Sequence, residues 1–270
     1  MSRYRFAVVG DNCVDRFQPP VGQSLIGGNA INVAVQLGML GHEVYYFGAV
    51  GRDADGARTR DLLAEKGVRV EHMQVLPGET AYTNIDITEA GDRIFAFEDF
   101  GVCQDYIPSE EDFVALAGMD HVHIGWIADR GTVRRRLAEA GISVSQDVSV
   151  NNQPAHIGVD NLRIAFGSAG EDRQKAEAMM QVCLNGGAKV AVVTRSGDGS
   201  AAMSREEYAE TGITPVAVVD TTGAGDSFIA GFLHAFVAGG SLETSLVSGR
   251  ECAARTCTHV GGFPQEPKPL

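Results

Sequence analysis

The sequence predicts an α/β fold, a largely parallel sheet with helices on both faces, and three observations carry that prediction. Short apolar runs of strand length alternate with longer stretches of helical periodicity from residue 6 to residue 194. Glycine closes several of the helical stretches, as it closes helices generally. One segment, residues 80–97, departs from the alternation and reads as two strands around a turn. Repeated β–α alternation builds a parallel sheet covered on both faces.

Taken in order, residues 6–10 form a short buried strand. Gly27 and Gly28 open a periodic stretch, 30–40, stopped by Gly41. A strand follows at 44–50, then a helix at 56–66 that ends at Gly67. In 80–97, Thr83, Ile85 and Ile87 alternate, Gly91-Asp92 turn the chain, and Ile94 and Phe95 begin the return. Ser109-Glu110-Glu111-Asp112 after Pro108 resembles a capping box. Strands at 121–124, 142–150, 162–166 and 190–194 then alternate with helices at 132–140 and 171–184. Residues 216–219 are strand-like, and 228–237 carry so few polar side chains that they predict a helix buried on all sides. The last stretch, 261–270, holds three prolines and reads as a mobile tail. With no internal repeat and no long linker, residues 1–270 read as one domain.

The 22 Lys and Arg against 35 Asp and Glu leave a net charge of −13, with no basic stripe to follow a phosphate backbone, so nucleic acid is excluded as a partner. The run Arg134-Arg135-Arg136 reads as the solvated face of a helix. Cys13, Cys103, Cys183, Cys252 and Cys257 are scattered without a C-x-x-C pair, which suits buried free thiols in a reducing cytosol. After Arg3 and Arg5 only residues 6–9 form an apolar run, too short for a signal peptide or a membrane span. A cytoplasmic protein without a membrane partner is expected.

The order strand, glycine turn, helix recurs most tellingly at Asp220-Thr221-Thr222-Gly223-Ala224-Gly225-Asp226. Gly223 and Gly225 free the backbone and remove side chains that would block a ligand. The N–H groups of residues 223–226 are then expected to be unpaired at a helix start, where the dipole also favours anions. Asp226 stands beside this anion hole. A carboxylate there has a use if a proton must be removed while backbone donors hold the charge of a migrating phosphoryl group. Read alone, the tetrapeptide Gly-Ala-Gly-Asp is equally an ordinary loop with Asp226 as a helix cap.

Three motifs in order carry a resemblance. Residues 220–232, D-T-T-G-A-G-D-S-F-I-A-G-F, resemble the C-terminal signature of the ribokinase-like (PfkB) carbohydrate kinases. Residues 27–41, G-G-N-A-I-N-V-A-V-Q-L-G-M-L-G, are similar to the N-terminal signature, and 48–56 fit the G-x-V-G-x-D-x-x-G segment after it. The resemblance implies a doubly wound sheet with a small β-sheet lid, its strands at about 12–24 and 80–104. It also implies ATP and Mg²⁺ as cofactors, allows a monovalent cation, and allows a homodimer through the lid. By position it makes Asp226 the catalytic base, with Gly223, Ala224 and Gly225 as the anion hole. Asp15, Gly28, Asn29 and Asn32 fall where the family contacts sugar hydroxyls, although each asparagine alone also reads as a cap or a buried structural amide. Ser168, Thr194, Gly199, Thr222, Gly223 and Gly225 fall on the nucleotide side. Ser196 replaces the first glycine of a T-x-G-x-x-G turn, and Ser168 replaces the Asn of an N-x-x-E motif whose Glu171 remains as the Mg²⁺ candidate, acting through water.

Residues 10–15, G-D-N-C-V-D, together with residues 27–34, G-G-N-A-I-N-V-A, resemble the fructosyl-amino acid kinases of that family more than its ribokinases or fructokinases. This implies phosphorylation, at the 6-position, of a substrate such as fructoselysine. Its amino acid end bears a carboxylate, for which Arg52, Arg93 and Arg130 are candidates, although each also reads as a surface residue. Kinases of fructose, ribose or a 2-keto-3-deoxy sugar acid are the alternatives, and a non-catalytic sugar-binding regulator is the alternative of another class. Gly197-Asp198-Gly199-Ser200-Ala201-Ala202 matches a dinucleotide fingerprint, but no helical core face follows it. His121 and His123 share one strand face, and two ligands make a poor metal site; buried or lid-facing histidines are expected.

Overall fold

Strand β1 (Arg5–Val9) lies inside the larger of two sheets and is buried from its second residue onward. A computed structural model describes residues 3–87 and 93–270, without the side chains of Arg93 and Phe95. The turn expected at Gly91-Asp92 lies outside the described residues. After β1 come β2 (Cys13–Phe17), β3 (Gln23–Gly27), α1 (Asn29–Met39), β4 (Glu43–Gly51), α2 (Ala54–Glu65) and β5 (Met73–Leu76). Next are β6 (Tyr82–Ile87), β7 (Arg93–Asp99), α3 (Glu110–Leu116), β8 (His121–Ile124), α4 (Thr132–Glu139) and β9 (Val144–Asp147). The chain continues through β10 (Ile164–Ser168), α5 (Arg173–Asn185), β11 (Val190–Thr194), β12 (Ser200–Met203) and β13 (Tyr208–Thr211). It ends with α6 (Ala224–Val237), α7 (Leu242–Thr256) and β14 (Lys268–Pro269).

The large sheet runs β13-β12-β11-β10-β9-β8-β1-β4-β5, parallel from β11 to β5 and antiparallel at β12 and β13. Alternate strand residues point to opposite faces, so each strand feeds two cores. Phe6, Tyr46 and Phe166 pack with Ile31, Leu63, Phe232 and Leu246 of α1, α2, α6 and α7. Ala7, Val9 and Ile124 pack on the other face with Leu116, Leu137 and Met180 of α3, α4 and α5. The smaller sheet, β14-β3-β2-β6-β7, is antiparallel except between β2 and β6.

Glycines with positive φ follow α1, α2 and α4 at Gly41, Gly67 and Gly141, and the Ser109–Asp112 capping box is formed. Four expectations are corrected. Residues 216–219 join no strand, and Val218 and Val219 are exposed, because the antiparallel hairpin β12–β13 takes that edge of the sheet. The same hairpin disposes of the dinucleotide fingerprint, since Gly199 leads into a strand and not a helix. Arg134 is not solvated: it is 4% exposed and bonds to the Asp160 carbonyl and carboxylate. The predicted all-round burial of residues 228–237 holds only for 228–233, with His234 to Val237 partly exposed. Finally, residues 261–270 are docked, with Phe263 wholly buried and β14 paired to β3. His121 and His123 are buried on one face, bonded to Ser143 and Ser145, and burial pushes both pKa values down to about 3.

Candidate active site

Strand β1 has β4 on one side and β8 on the other, so the chain changes direction across the sheet there. Open α/β sheets bind ligands outside the carboxyl ends of their strands at such a point. Gly10, Asp11 and Asn12 leave β1 at this place, Gly125 and Trp126 leave β8, and Asp147 ends β9.

The helix α1 begins here with Gly28 as N-cap, at φ 108°, a conformation that favours glycine. Neither Asn29 nor Asn32 caps it. Asp11 does so from 18 residues away, accepting the N–H groups of Asn29 and Ala30, each at 3.1 Å. The asparagine side chains are thereby left for Asp226. Asn29 Nδ2 donates to Asp226 Oδ1 at 2.6 Å and to Asp147 Oδ2 at 3.2 Å. Asn32 Nδ2 donates to Asp226 Oδ2 at 2.7 Å. Asp15, on β2, places its carboxylate against Gly27, and the same glycine adjoins Asn32 Oδ1.

At the head of α6, Gly223 takes φ 72° as N-cap and lies against Gly262, leaving no room for a methyl group. The anion hole is smaller than expected, because the Ala224 N–H donates to the Thr221 carbonyl at 3.1 Å, closing a turn. Among the described residues the N–H groups of Gly223, Gly225 and Asp226 have no acceptor. Asp220 orders the turn by accepting from Thr222 N–H and Oγ1 and from Gly261 N–H.

The electrostatics follow from this crowding. Burial pushes the Asp226 carboxyl up to about 7, against the lowering hydrogen bonds of Asn32 and Asn29, and the negative charges of Asp147 and Asp11 add to the rise. Burial also raises Asp11 to about 6 and raises Asp147. A group with pKa near 7 is half ionised at neutral pH, the condition in which a base both holds and releases protons.

Ser168 and Thr194 end the neighbouring strands β10 and β11 and pair in register. Gly199, at φ 86°, immediately precedes β12, and Ser196 takes the left-handed φ of 48° that explains why glycine is usual there. Glu171 is exposed, with Oε1 close to Gly197 of that turn. Arg52 and Arg130 are exposed, and the Arg93 side chain lies outside the described residues. The sequence reasoning missed Asp11 and Asp147. Asp11 lay in the quoted G-D-N-C-V-D run, and Asp147 had the signal of a carboxylate near a strand's carboxyl end.

The chain is similar to known proteins. Residues 18–142 and 157–269 match the model of the pfkB family carbohydrate kinases. The chain is 35% identical to the fructoselysine 6-kinase of Escherichia coli, over 95% of this chain and 98% of that one. It is 32% identical to the fructosamine kinase FrlD of Bacillus subtilis, over 96% and 93%. A ribokinase of Arabidopsis thaliana, solved with ribose and ATP, superposes with a TM-score of 0.88 at 23% identity, over 96% and 94%. The chain belongs to the pfkB family of carbohydrate kinases and is a sugar phosphotransferase with an alcohol group as acceptor.

Proposed function

We propose that the protein transfers the γ-phosphoryl group of ATP to the 6-hydroxyl of a fructosyl-amino acid such as fructoselysine, with Asp226 as the base. The carrying observation is the Asp226 carboxylate, gripped by two asparagine amides beside three unpaired N–H groups at the head of α6. Asp226 takes the acceptor hydroxyl's proton as the oxygen attacks the γ-phosphorus, and the bond from that phosphorus to the bridging oxygen breaks, so that ADP leaves. The N–H groups of Gly223, Gly225 and Asp226 stabilise the charge on the migrating group, and the dipole of α6 acts in the same sense. Both amide hydrogens of Asn29 are taken by carboxylates, so Asn29, with Asn32, orients the base. Asp15 and the Gly28 backbone meet sugar hydroxyls from the β2–β3 side of the site.

Ser168, Thr194, Gly199 and Thr222 form the nucleotide side. A hard cation that keeps most of its waters needs few protein carboxylates, and Glu171, exposed beside the β11–β12 turn, fits that donor set for Mg²⁺. The ion supplies charge neutralisation on the phosphate oxygens when bound. The fructosyl-amino acid assignment is supported by the identity to fructoselysine 6-kinase over 95% of the chain.

ADP release across fructoselysine, fructose, ribose and a 2-keto-3-deoxy sugar acid tests this reading, with the Asp226→Asn protein as control. Fructoselysine should exceed the others in kcat/KM by at least about tenfold, about 1.4 kcal/mol of discrimination. A higher value for another sugar would reassign the substrate. No release above the control with any sugar would make this a binding protein.

A further inference from the structure

Residues 261–270 run from the head of α6 to the edge of the smaller sheet and are fixed along the way. Gly261 N–H donates to Asp220 Oδ2 at 2.7 Å. Gly262 packs against both Gly223 and Asn32, so that a side chain there would collide with the Asn32 amide, and its carbonyl accepts from Gln36 Nε2 at 2.8 Å. Phe263 anchors the segment in the core. Gln265 then reaches β3, where its Oε1 accepts the Ile26 N–H at 2.8 Å and its Nε2 donates to the Ile26 carbonyl at 2.7 Å. One side-chain amide thus does what a neighbouring strand does at a ladder position. Beyond it, Lys268 and Pro269 pair with Ser24 and Gln23, and Leu270 N–H donates to the Gly22 carbonyl.

Ile26 precedes Gly27 and Gly28, which lead directly into α1, so the placement of β3 governs where Asn29 and Asn32 stand. We infer that Gln265 is a positioning residue for phosphoryl transfer. By holding both backbone groups of Ile26 it keeps β3, and with it the Asn29 and Asn32 amides, within reach of the Asp226 carboxylate. Glutamine suits the task because it offers a donor and an acceptor together. Its effect on catalysis rests on the reading of Asp226 as the base.

The test uses Gln265→Met, which keeps length and bulk without either hydrogen bond, and Gln265→Glu, which keeps only an acceptor for the Ile26 N–H. Hydrogen bonds to the ionised form lower a carboxyl pKa, so a loosened pair of amides must raise it. Asp147 from β9 and Asp11 from the end of β1 also face Asp226 and are untouched in both variants. The midpoint of Asp226 is read by carbon-13 NMR of carboxyl-labelled aspartate without substrate, assigned with Asp226→Asn. In Gln265→Met it should rise by at least about 0.5 pH unit, and kcat/KM for fructoselysine should fall about tenfold. Gln265→Glu should show the same changes at smaller size, and serves if Gln265→Met does not fold. A lowered Tm with an unmoved midpoint would reduce Gln265 to a structural clamp and overturn the inference. A moved midpoint with no ADP release by the unaltered protein from any sugar would support the positioning and sink the kinase reading alone.

Discussion

Asn29 joins Asp226 to Asp147 through a single amide, at 2.6 and 3.2 Å, so the proposed base and a second buried carboxylate share one donor. The charge of Asp147 is among the causes that raise Asp226 to about 7. A base must be deprotonated to act, so kcat/KM is lost as pH falls through that value. Asp147→Asn removes a negative neighbour and should move the acidic limb downward by about 0.5–1 pH unit, with more activity retained at pH 6. A pH–rate profile checks this, and an unmoved limb would show that another group controls it.

Replacing the proposed base separates chemistry from binding. Asp226→Asn should lower kcat by at least about 100-fold while ATP binding, measured by calorimetry, stays near the unaltered value. It should also stabilise the fold at alkaline pH. A carboxyl raised from 3.8 to about 7 binds its proton more tightly in the folded state, so its contribution to stability is complete at low pH and is lost as pH rises through about 7. At pH 8 the unaltered protein carries that full cost, and the variant should gain about 1–3 kcal/mol there, with the gain vanishing towards pH 4. Denaturant unfolding at both pH values measures the difference.

Much of the fold was legible because each element carries its own boundary signal. Asp53 caps α2, Ser109 and Asp112 box α3, and glycines of positive φ end three helices. What failed depended on partners remote in sequence. Residues 216–219 have strand-like side chains, but the sheet edge they would need is occupied. The prolines of 261–270 suggested mobility, yet Phe263 is buried in the core and Gln265 finds its partner 239 residues away. Arg134 looked solvated until the chain brought Asp160 to it. In the site, the motif residues Asn29, Asn32 and Asp226 were recognisable and meet. Asp147 was not, because it belongs to none of the motifs and only the fold brings it to the Asn29 amide.

Ser196 holds a backbone conformation that glycine adopts without strain, at φ 48°. The left-handed region costs a side-chain-bearing residue about 1–2 kcal/mol, while glycine gives back about 0.5–1 kcal/mol through its freer unfolded chain. Ser196→Gly should therefore raise Tm by about 1–3 °C and leave the KM for ATP within about twofold. A lower Tm would mean that the serine side chain contributes more than its backbone costs.

Asp11 is the test of whether the site depends on a tertiary cap. Its carboxylate satisfies two N–H groups at the start of α1, and no residue next to them in the chain replaces it. Loss of a cap costs about 0.5–2 kcal/mol, and here two donors lose their acceptor together. Asp11→Ala should accordingly sit at the upper end of that range in denaturant unfolding. It should also lower kcat, because Asn29 begins the loosened turn and holds Asp226. Asp11→Asn retains one acceptor oxygen and should recover most of the stability. If Asp11→Ala lost stability but kept its turnover, the first turn of α1 would be holding the fold without holding the base.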